Sequence, residues 1–204
     1  MRMKRDFSGR GVSAFIAILF LSAVSFAQAA PEASFPNVKI KNFGQMDARF
    51  YRGAQPKEDD YRSLSELGVK TVIDLRDDAT DYERPAVEAL GMRYVNIPMS
   101  DKHYPREEQI EAFLKLVNDP ATGAFYVHCA GGRHRTGVMG AVYRFKKYGW
   151  NYDQVYKEMK DYDFYTRWGH GDMKKYVEDY WQRVQTAPAP TTTTTALVVA
   201  PVLK

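Results

Sequence analysis

The chain has 204 residues, with 29 Lys and Arg against 25 Asp and Glu, 45% hydrophobic residues and a single cysteine. This apolar content excludes an intrinsically disordered chain, and one cysteine cannot form a disulfide framework. The body of the chain has no run of twenty apolar residues, which excludes a protein with several membrane spans. The length predicts one globular domain with additional segments at its ends.

The first 29 residues have the organisation of an export signal. Four basic residues precede or begin an apolar run over 12–26, and the small residues Ala27 and Ala29 predict cleavage just before Ala30. The segment contains four basic residues and one acidic residue, so its removal would leave 25 basic and 24 acidic residues. We therefore expect an exported, periplasmic or secreted protein that binds no nucleic acid and has no stable membrane insertion after cleavage. An uncleaved N-terminal anchor is the alternative.

The C-terminal segment 187–204 is of a different composition from the body. It begins Ala-Pro-Ala-Pro, continues with five threonines and ends in a short apolar stretch. Such a segment cannot bury one face of a helix or strand and is expected to be a flexible tail. These boundaries predict a folded domain over 37–186.

The remaining pattern predicts an α/β fold. Compact runs of β-branched and aromatic residues at 72–75, 94–97 and 125–127 indicate buried strands. Amphipathic patterns at 83–90 and 110–117 lie between them, and this alternation predicts a mostly parallel twisted sheet flanked by helices. Edge strands are expected at 38–43 and 48–52. After Cys129 the patterns are helical, at 138–145, 155–159 and 173–184, which predicts a helical C-terminal third.

The third strand leads into a loop that is suited to binding an oxyanion. It reads His-Cys-Ala-Gly-Gly-Arg-His-Arg-Thr-Gly over 128–137 and precedes a predicted helix. Loop N–H groups and a helix N-terminus together favour a bound anion, and glycines permit the close backbone approach that this requires. Arg135 can then place its planar guanidinium on two phosphate oxygens. The residues expected to bind the phosphate are Ala130, Gly131, Gly132, Arg133, His134 and Arg135.

The same surroundings would make Cys129 a nucleophile. A thiol at a helix N-terminus ionises below its free pKa, into the ~3.5–7.5 range of activated cysteines. His128 can fix the loop, and the hydroxyl of Thr136 can donate to the sulfur. Asp101 lies in a polar loop after the second strand, and parallel strands place that loop at the same sheet edge as Cys129. Asp101 is therefore the predicted general acid, and then the base for water.

His128-Cys129-x5-Arg135-Thr136-Gly137 resembles the signature of the cysteine-dependent protein tyrosine phosphatases, in their compact dual-specificity branch. The resemblance covers roughly residues 48–165, and the segments 51–56 and 72–76 are also similar to bacterial members and to plant and fungal atypical dual-specificity phosphatases. It implies hydrolysis of phosphate monoesters without a metal or other cofactor. The segment around Asp101 matches no strict acid-loop motif, so the role of Asp101 rests on its position.

The substrate is left open between two classes. A phosphorylated protein fits the tyrosine or dual-specificity type of phosphatase. Arg133 and His134 would add positive potential to the loop, a pattern similar to that of the atypical enzymes that act on inositol pyrophosphates. The alternative substrate is therefore a small polyanionic phosphate ester, and the alternative function is that of an inositol polyphosphate or phosphoinositide phosphatase. The other possibility for these two residues is that Arg133 points into solvent and His134 pairs with the backbone, in which case neither adds charge to the loop. Arg52 and Arg76 are expected to form structural ion pairs, and a position at the rim of the pocket is the alternative for each.

Three other classes of protein remain as alternatives. A phosphate-binding module without turnover would lack activity on p-nitrophenyl phosphate. A rhodanese-like sulfur carrier also uses a loop cysteine, but His128 before it and Arg135 after it point away from that class. A disulfide oxidoreductase is disfavoured because the only cysteine has no resolving partner.

Expression with the native N-terminus should yield an exported protein whose first residue lies near Ala30, because the small residues before it suit a signal peptidase. N-terminal sequencing of the exported fraction checks this. Exported protein that still begins at Met1 would show that the segment is kept as an anchor.

Overall fold

The computed structural model describes residues 34–186, so the expected signal over 1–29 and tail over 187–204 lie outside the described residues. Five strands and six helices follow one another within this range. The strands are β1 (Gly44–Gln45), β2 (Phe50–Ala54), β3 (Val69–Arg76), β4 (Arg93–Met99) and β5 (Ala124–Cys129). The helices are α1 (Tyr61–Glu66), α2 (Glu83–Ala89), α3 (Glu107–Asn118), α4 (His134–Tyr143), α5 (Tyr152–Asp161) and α6 (Gly171–Thr186).

The strands form one mostly parallel sheet. Their order is β1-β2-β5-β3-β4, and only the short β1 runs antiparallel to its neighbour. After β5 the described chain is helical or irregular, so both the predicted α/β class and the helical C-terminal third are confirmed. No described helix is long and apolar enough to cross a membrane.

The sheet separates two hydrophobic clusters because successive side chains of a strand point to opposite faces. Ile73 and Val127 belong to the larger cluster, which includes α3, α4, α5 and α6. Their chain neighbours Val72 and Tyr126 belong to the smaller cluster, which includes α1 and α2. Both faces of the central strands are thus covered, which explains why these strands read as continuous apolar runs.

The two predicted edge strands are the part of the fold prediction that was wrong. Residues 38–43 form no strand, and Asn42 adopts a φ of 54°, which ends any extended run. The 48–52 segment contributes β2, which starts at Phe50 and lies inside the sheet between β1 and β5. Its start is delayed because the Asp47 carboxylate accepts hydrogen bonds from the N–H groups of Arg49 and Phe50, which forms a turn.

The parallel strands bring several loops to one edge of the sheet. Cys129 ends β5 and pairs with Ala54 at the end of β2. The loops that follow β3 and β4 start at the same edge, because Arg76 pairs with Met99. Crevices at the carboxyl ends of parallel strands are the usual ligand sites of such sheets, and the residues expected to carry the chemistry follow these strand ends.

Candidate active site

A cavity of about 150 Å³ lies over the end of β5. It is lined by Cys129, Ala130, Gly131 and residues 133–135 of the loop, and by Asp101, Tyr165 and His170. The structure thus brings Cys129, Arg135 and Asp101 together in one cavity. Tyr165 and His170, from the segment between α5 and α6, were not predicted. Gly132 does not line the cavity and instead makes the turn of the loop.

The loop carbonyls are held from the protein side. The side-chain amide of Asn42 donates to the carbonyl oxygens of Gly131 and Gly132, at 3.3 Å and 3.0 Å. Arg52 donates to the same oxygen of Gly132 at 2.8 Å. Because the N–H of a peptide unit points opposite to its C=O, these bonds turn the N–H groups of the loop toward the cavity. The conformation of the loop is thus stabilised by Asn42 and Arg52, which lie outside it.

The loop turn rests directly on β2, and this contact requires glycine. Gly132 has a φ of 66°, which a residue with a Cβ rarely adopts. A Cβ at this position would collide with the carbonyl group of Gly53 and would lie 2.7 Å from the nitrogen of Ala54. Gly132 therefore fixes the height of the loop above the strand as well as its turn.

Cys129 is 4% exposed, and its pKa is set by opposing effects. Burial raises the pKa of the thiol, but the hydroxyl of Thr136, the charge of Arg135 and the backbone N–H groups of Thr136 and Arg133 stabilise the thiolate. The net pKa lies below that of an ordinary thiol. Among the described residues the buried Thr136 hydroxyl has no nitrogen or oxygen partner, so it is available to donate to the sulfur.

Arg135 follows the first residue of α4 and is 5% exposed. One terminal nitrogen donates to the carboxylate of Asp77 at 2.9 Å and to the carbonyl oxygen of Met99 at 3.0 Å. These contacts tie the guanidinium to the loops after β3 and β4. The Nε atom has no partner among residues 34–186, so a donor remains for an oxyanion in the cavity.

The expected positive potential of His134 is not present at neutral pH. Burial, followed by the nearby His170, lowers the pKa of His134 to about 4, so its ring is neutral. Its Nε2 lies 3.0 Å from the carbonyl oxygen of Tyr165, which requires Nε2 to carry the proton. The side chain of Arg133 is 43% exposed and lies 3.7 Å from Asp163. Pairing of His134 with the backbone, the alternative considered above, is what the structure shows.

Asp101 lines the cavity, and no residue of the described part of the chain forms a hydrogen bond or ion pair with its carboxylate. Within the described range, its one hydrogen bond uses its backbone carbonyl oxygen, which lies 2.7 Å from Nδ1 of His170. The next residues form a local turn, in which the N–H groups of Lys102 and His103 donate to the hydroxyl of Ser100. The carboxylate is thus available to a bound molecule.

His128 is fully buried behind the loop, between two carboxylates. Its Nε2 lies 2.7 Å from Glu83 and its Nδ1 lies 3.9 Å from Asp74. Burial raises the pKa of Glu83, but contacts with His128 and Gln55 outweigh it and the net pKa is lowered. Burial raises the pKa of Asp74. His128 therefore anchors β5 to β3 and α2, and in this way supports the loop.

These three residues are also the group in the described chain whose atoms are spaced as metal ligands, all within 4.8 Å of one another. Both oxygens of Asp74 and one oxygen of Glu83 already accept hydrogen bonds within the protein. The N–H of Arg76 and the hydroxyl of Tyr94 donate to Asp74 at 2.8 Å and 2.9 Å, and the amide of Gln55 donates to Glu83 at 2.9 Å. The group is thus a buried polar cluster in which most of the carboxylate oxygens are held by neighbouring residues.

Arg52 is the largest departure from the expected side-chain roles. Arg76 forms the expected ion pair, with Asp78 at 3.0 Å. Arg52 is 1% exposed and, within residues 34–186, has no carboxylate at ion-pair distance. Its guanidinium lies 3.9 Å from the ring centre of Tyr162, and burial lowers its pKa while the charges of Tyr162, Glu158 and Cys129 oppose that shift. The expected ion pair of Arg52 is thus wrong, because the residue holds the loop instead.

The Gly132→Ala variant should lose binding of phosphate analogues such as vanadate, since its methyl group forces the loop off β2. Gly149→Ala is the matched control, because Gly149 has a similar φ of 61° but nothing within 4 Å of its added methyl group. Both variants should lose about 1–2 kcal/mol of unfolding free energy from the left-handed backbone. Calorimetric titration with vanadate separates the two, and equal affinities would contradict the role given to Gly132.

Comparisons with known proteins agree with this geometry. The family described as a DSP-PTPase phosphatase fused to NAD+ kinase matches residues 27–175. NAD kinase 2, chloroplastic, of Arabidopsis thaliana is 33% identical over 110 residues, which are 51% of this chain and 11% of that protein. Dual specificity protein phosphatase TpbA of Pseudomonas aeruginosa is 29% identical over 131 residues, 64% of this chain and 56% of that protein. The chain thus spans about a tenth of the plant relative and about half of TpbA.

Two solved structures share the fold. The core catalytic domain of the PP-IP phosphatase SIW14 from S. cerevisiae superposes with a TM-score of 0.61 at 22% identity, covering 69% of this chain and 86% of that one. A cysteine-to-serine variant of TpbA in complex with pTyr gives a TM-score of 0.60 at 22% identity, covering 78% of this chain and all of that one. The matched family thus agrees with the fold, and the resemblance inferred from the cysteine loop is confirmed: the chain belongs to the PTP-NADK family of DSP-PTPase phosphatases.

Proposed function

We propose that the chain hydrolyses phosphate monoesters through a cysteinyl-phosphate intermediate, as a phosphatase of the tyrosine or dual-specificity type. The observation that carries this proposal is a buried Cys129 with a lowered pKa, in one cavity with Arg135 and Asp101. A thiolate beside a bound phosphate is a nucleophile that already faces its electrophile. The family to which the chain belongs supports the same chemistry.

The first step transfers the phosphoryl group to sulfur. The thiolate of Cys129 attacks phosphorus, the S–P bond forms and the bond from phosphorus to the ester oxygen breaks. Asp101 donates its proton to the departing oxygen, so that an alcohol leaves and the carboxylate remains. Arg135 and the loop N–H groups bind the equatorial oxygens, where charge accumulates in the transition state.

The second step returns the enzyme to its starting state. The Asp101 carboxylate takes a proton from water, the resulting hydroxide attacks phosphorus, and the S–P bond breaks. The products are inorganic phosphate and the Cys129 thiolate, stabilised as before by Thr136 and Arg135. Every proton and bond is accounted for by these side chains and water, so the proposed reaction calls for no metal ion or other cofactor.

A phosphorylated protein is the first substrate class for this site. The cavity is small, at about 150 Å³, which suits one phosphoryl group, and TpbA has been solved in complex with pTyr. A small polyanionic phosphate ester is the second candidate. It is supported by the adjacent cavity of about 590 Å³, which Arg133, Lys160 and Arg167 line, and by the similarity to the PP-IP phosphatase SIW14.

We further infer that the enzyme acts outside the cytoplasm, in the periplasm or after secretion. The support for this is the pattern of the first 29 residues, in which an apolar run between basic residues and small residues resembles an export signal. In such a compartment the phosphorylated protein would itself be exported or exposed at the cell surface, which favours the first substrate class over an intracellular metabolite.

The Cys129→Ser variant should have no turnover of p-nitrophenyl phosphate and should still bind vanadate, since the hydroxyl is not a nucleophile at neutral pH while the loop is unchanged.

Asp101→Asn should slow the hydrolysis of a phosphoserine peptide by roughly 10²–10⁴-fold and that of p-nitrophenyl phosphate much less, because only the alkoxide leaving group needs the proton. Asp81→Asn, at an exposed site away from the cavity, is the control.

The same assay ranks phosphotyrosine peptide against inositol polyphosphate by kcat/KM, and the account expects the peptide to be the better substrate. Turnover that survives in Cys129→Ser would refute the covalent mechanism. An equal loss in Asp101→Asn on both leaving groups would assign the acid to another residue.

A further inference from the structure

His170 lines the cavity but has no role in the mechanism above. His170 lies just before α6, is 7% exposed, and lines the cavity together with Cys129 and Asp101. Its Nδ1 is 2.7 Å from the backbone carbonyl oxygen of Asp101. Because a carbonyl oxygen can only accept, Nδ1 carries the proton and donates to Asp101.

The backbone before His170 has an unusual conformation that aims this ring inward. Trp168 and Gly169 have consecutive positive φ angles of 63° and 92°. The side chain of Trp168 does not explain this conformation, because the residue is 82% exposed. Gly169 faces the loop over 99–103, which carries Asp101 and is called the acid loop below. A Cβ on Gly169 would lie 3.6 Å from a side-chain carbon of Lys102. Residues held in sparsely populated backbone regions are concentrated at functional sites, which makes the observed turn a reason to examine the residue it presents.

The ring of His170 is also held by His134, at the end of the loop that follows β5. It stacks on His134 with ring centres 3.6 Å apart and planes 11° apart. His134 is itself held by its hydrogen bond to the carbonyl oxygen of Tyr165. His170 therefore connects three parts of the site, namely the loop that follows β5, the loop that follows β4 and the segment between α5 and α6.

The acid loop has few other attachments near Asp101. Arg135 binds the carbonyl oxygen of Met99, two residues earlier, and Ser100 organises only the turn that follows. Within residues 34–186, the hydrogen bond from His170 is the one that Asp101 itself makes. Without this hydrogen bond, the residues on either side of Asp101 would still be held, but the backbone of Asp101 itself would not.

We propose that His170 is a positioning residue that holds Asp101 in place for proton transfer, through the hydrogen bond to its main-chain carbonyl and the stack on His134. This inference rests on the proposed function, in which Asp101 is the general acid. A general acid has to lie within about 2.6–3.2 Å of the oxygen it protonates, and a displacement of about 1 Å can cost 10²-fold in rate. The proposed chemistry gives His170 no direct part at the thiolate or the phosphate, so its role is exerted through Asp101.

The test combines two substitutions with two substrates. His170→Phe keeps an aromatic ring for the stack but removes the donor, and we expect it to lower kcat on a phosphoserine peptide by roughly 10- to 100-fold while changing p-nitrophenyl phosphate turnover little. His170→Asn places an amide N–H where Nδ1 was and should recover part of the loss. In the Asp101→Asn background, His170→Phe should have no further effect on the peptide, since the acid it positions is gone.

Phe164→Leu is the control for loosened packing of the same segment. Phe164 is buried against the ring of His134, at 5.1 Å between centres, and the cavity lining that contains Asp101 does not include it. Its effect should be equal on both substrates. Should His170→Phe not fold, His170→Leu, which also lacks the donor, replaces it in the same cycle and should lower only the reaction that needs the acid.

A loss in His170→Phe that is equal on both substrates would overturn the proposal, and so would a loss that simply adds to that of Asp101→Asn. Failure of the proposed function would look different, because the parent enzyme would then show no dependence on Cys129 or no leaving-group effect in Asp101→Asn. A normal Asp101→Asn response together with an unaffected His170→Phe variant would reject this inference alone.

Discussion

The proposed chemistry depends on a lowered pKa of Cys129 at a buried position that disfavours a charged sulfur. The side chain is almost fully buried, and burial is the largest influence on its pKa, in the direction that protonates it. The Thr136 hydroxyl, the Arg135 charge and two backbone N–H groups together outweigh that cost. A thiolate that water barely reaches is poorly solvated and close to its target, which is why the arrangement suits attack on phosphorus.

The donors around the sulfur keep their direction because the loop is fastened from outside. Asn42 and Arg52 bind its carbonyl oxygens, and Gly132 rests on the backbone of Gly53. Arg52 is a buried cation whose neighbours are a carbonyl oxygen and an aromatic ring, and the charge of Cys129 is among those that stabilise its protonated form. The buried positive charge and the thiolate therefore support each other, which links the interior of the fold to the chemistry at its surface.

Much of this could be predicted from the sequence because the signals are local. Apolar runs predicted β3, β4 and β5, and the order of a cysteine, two glycines and an arginine before a helix identified the loop. Parallel strands then placed Asp101 beside Cys129. Two missed features are short or local: α1 is only six residues long, and β2 begins late because of a turn at Asp47. The other missed features depend on contacts between distant positions.

The supporting side chains escaped prediction for the same reason. Asn42 lies 89 residues before the carbonyl it binds, and His170 lies 69 residues after Asp101. Positive φ angles at Asn42 and Trp168 have no marker in the sequence, since neither residue requires that conformation. Arg52 sits in an apolar segment, where an arginine without an acidic neighbour could have signalled a buried role but not its target.

Titration of Cys129 tests the central claim most directly. The rate of alkylation by iodoacetamide follows the thiolate, so it rises as the pH passes through the pKa, and here that midpoint should lie below the ordinary value of about 8.5. Thr136→Val should move it to higher pH, whereas Thr122→Val, which removes an equally buried hydroxyl that donates to Leu116 away from the loop, should not. A midpoint at or above the ordinary value, unchanged by Thr136→Val, would contradict the account.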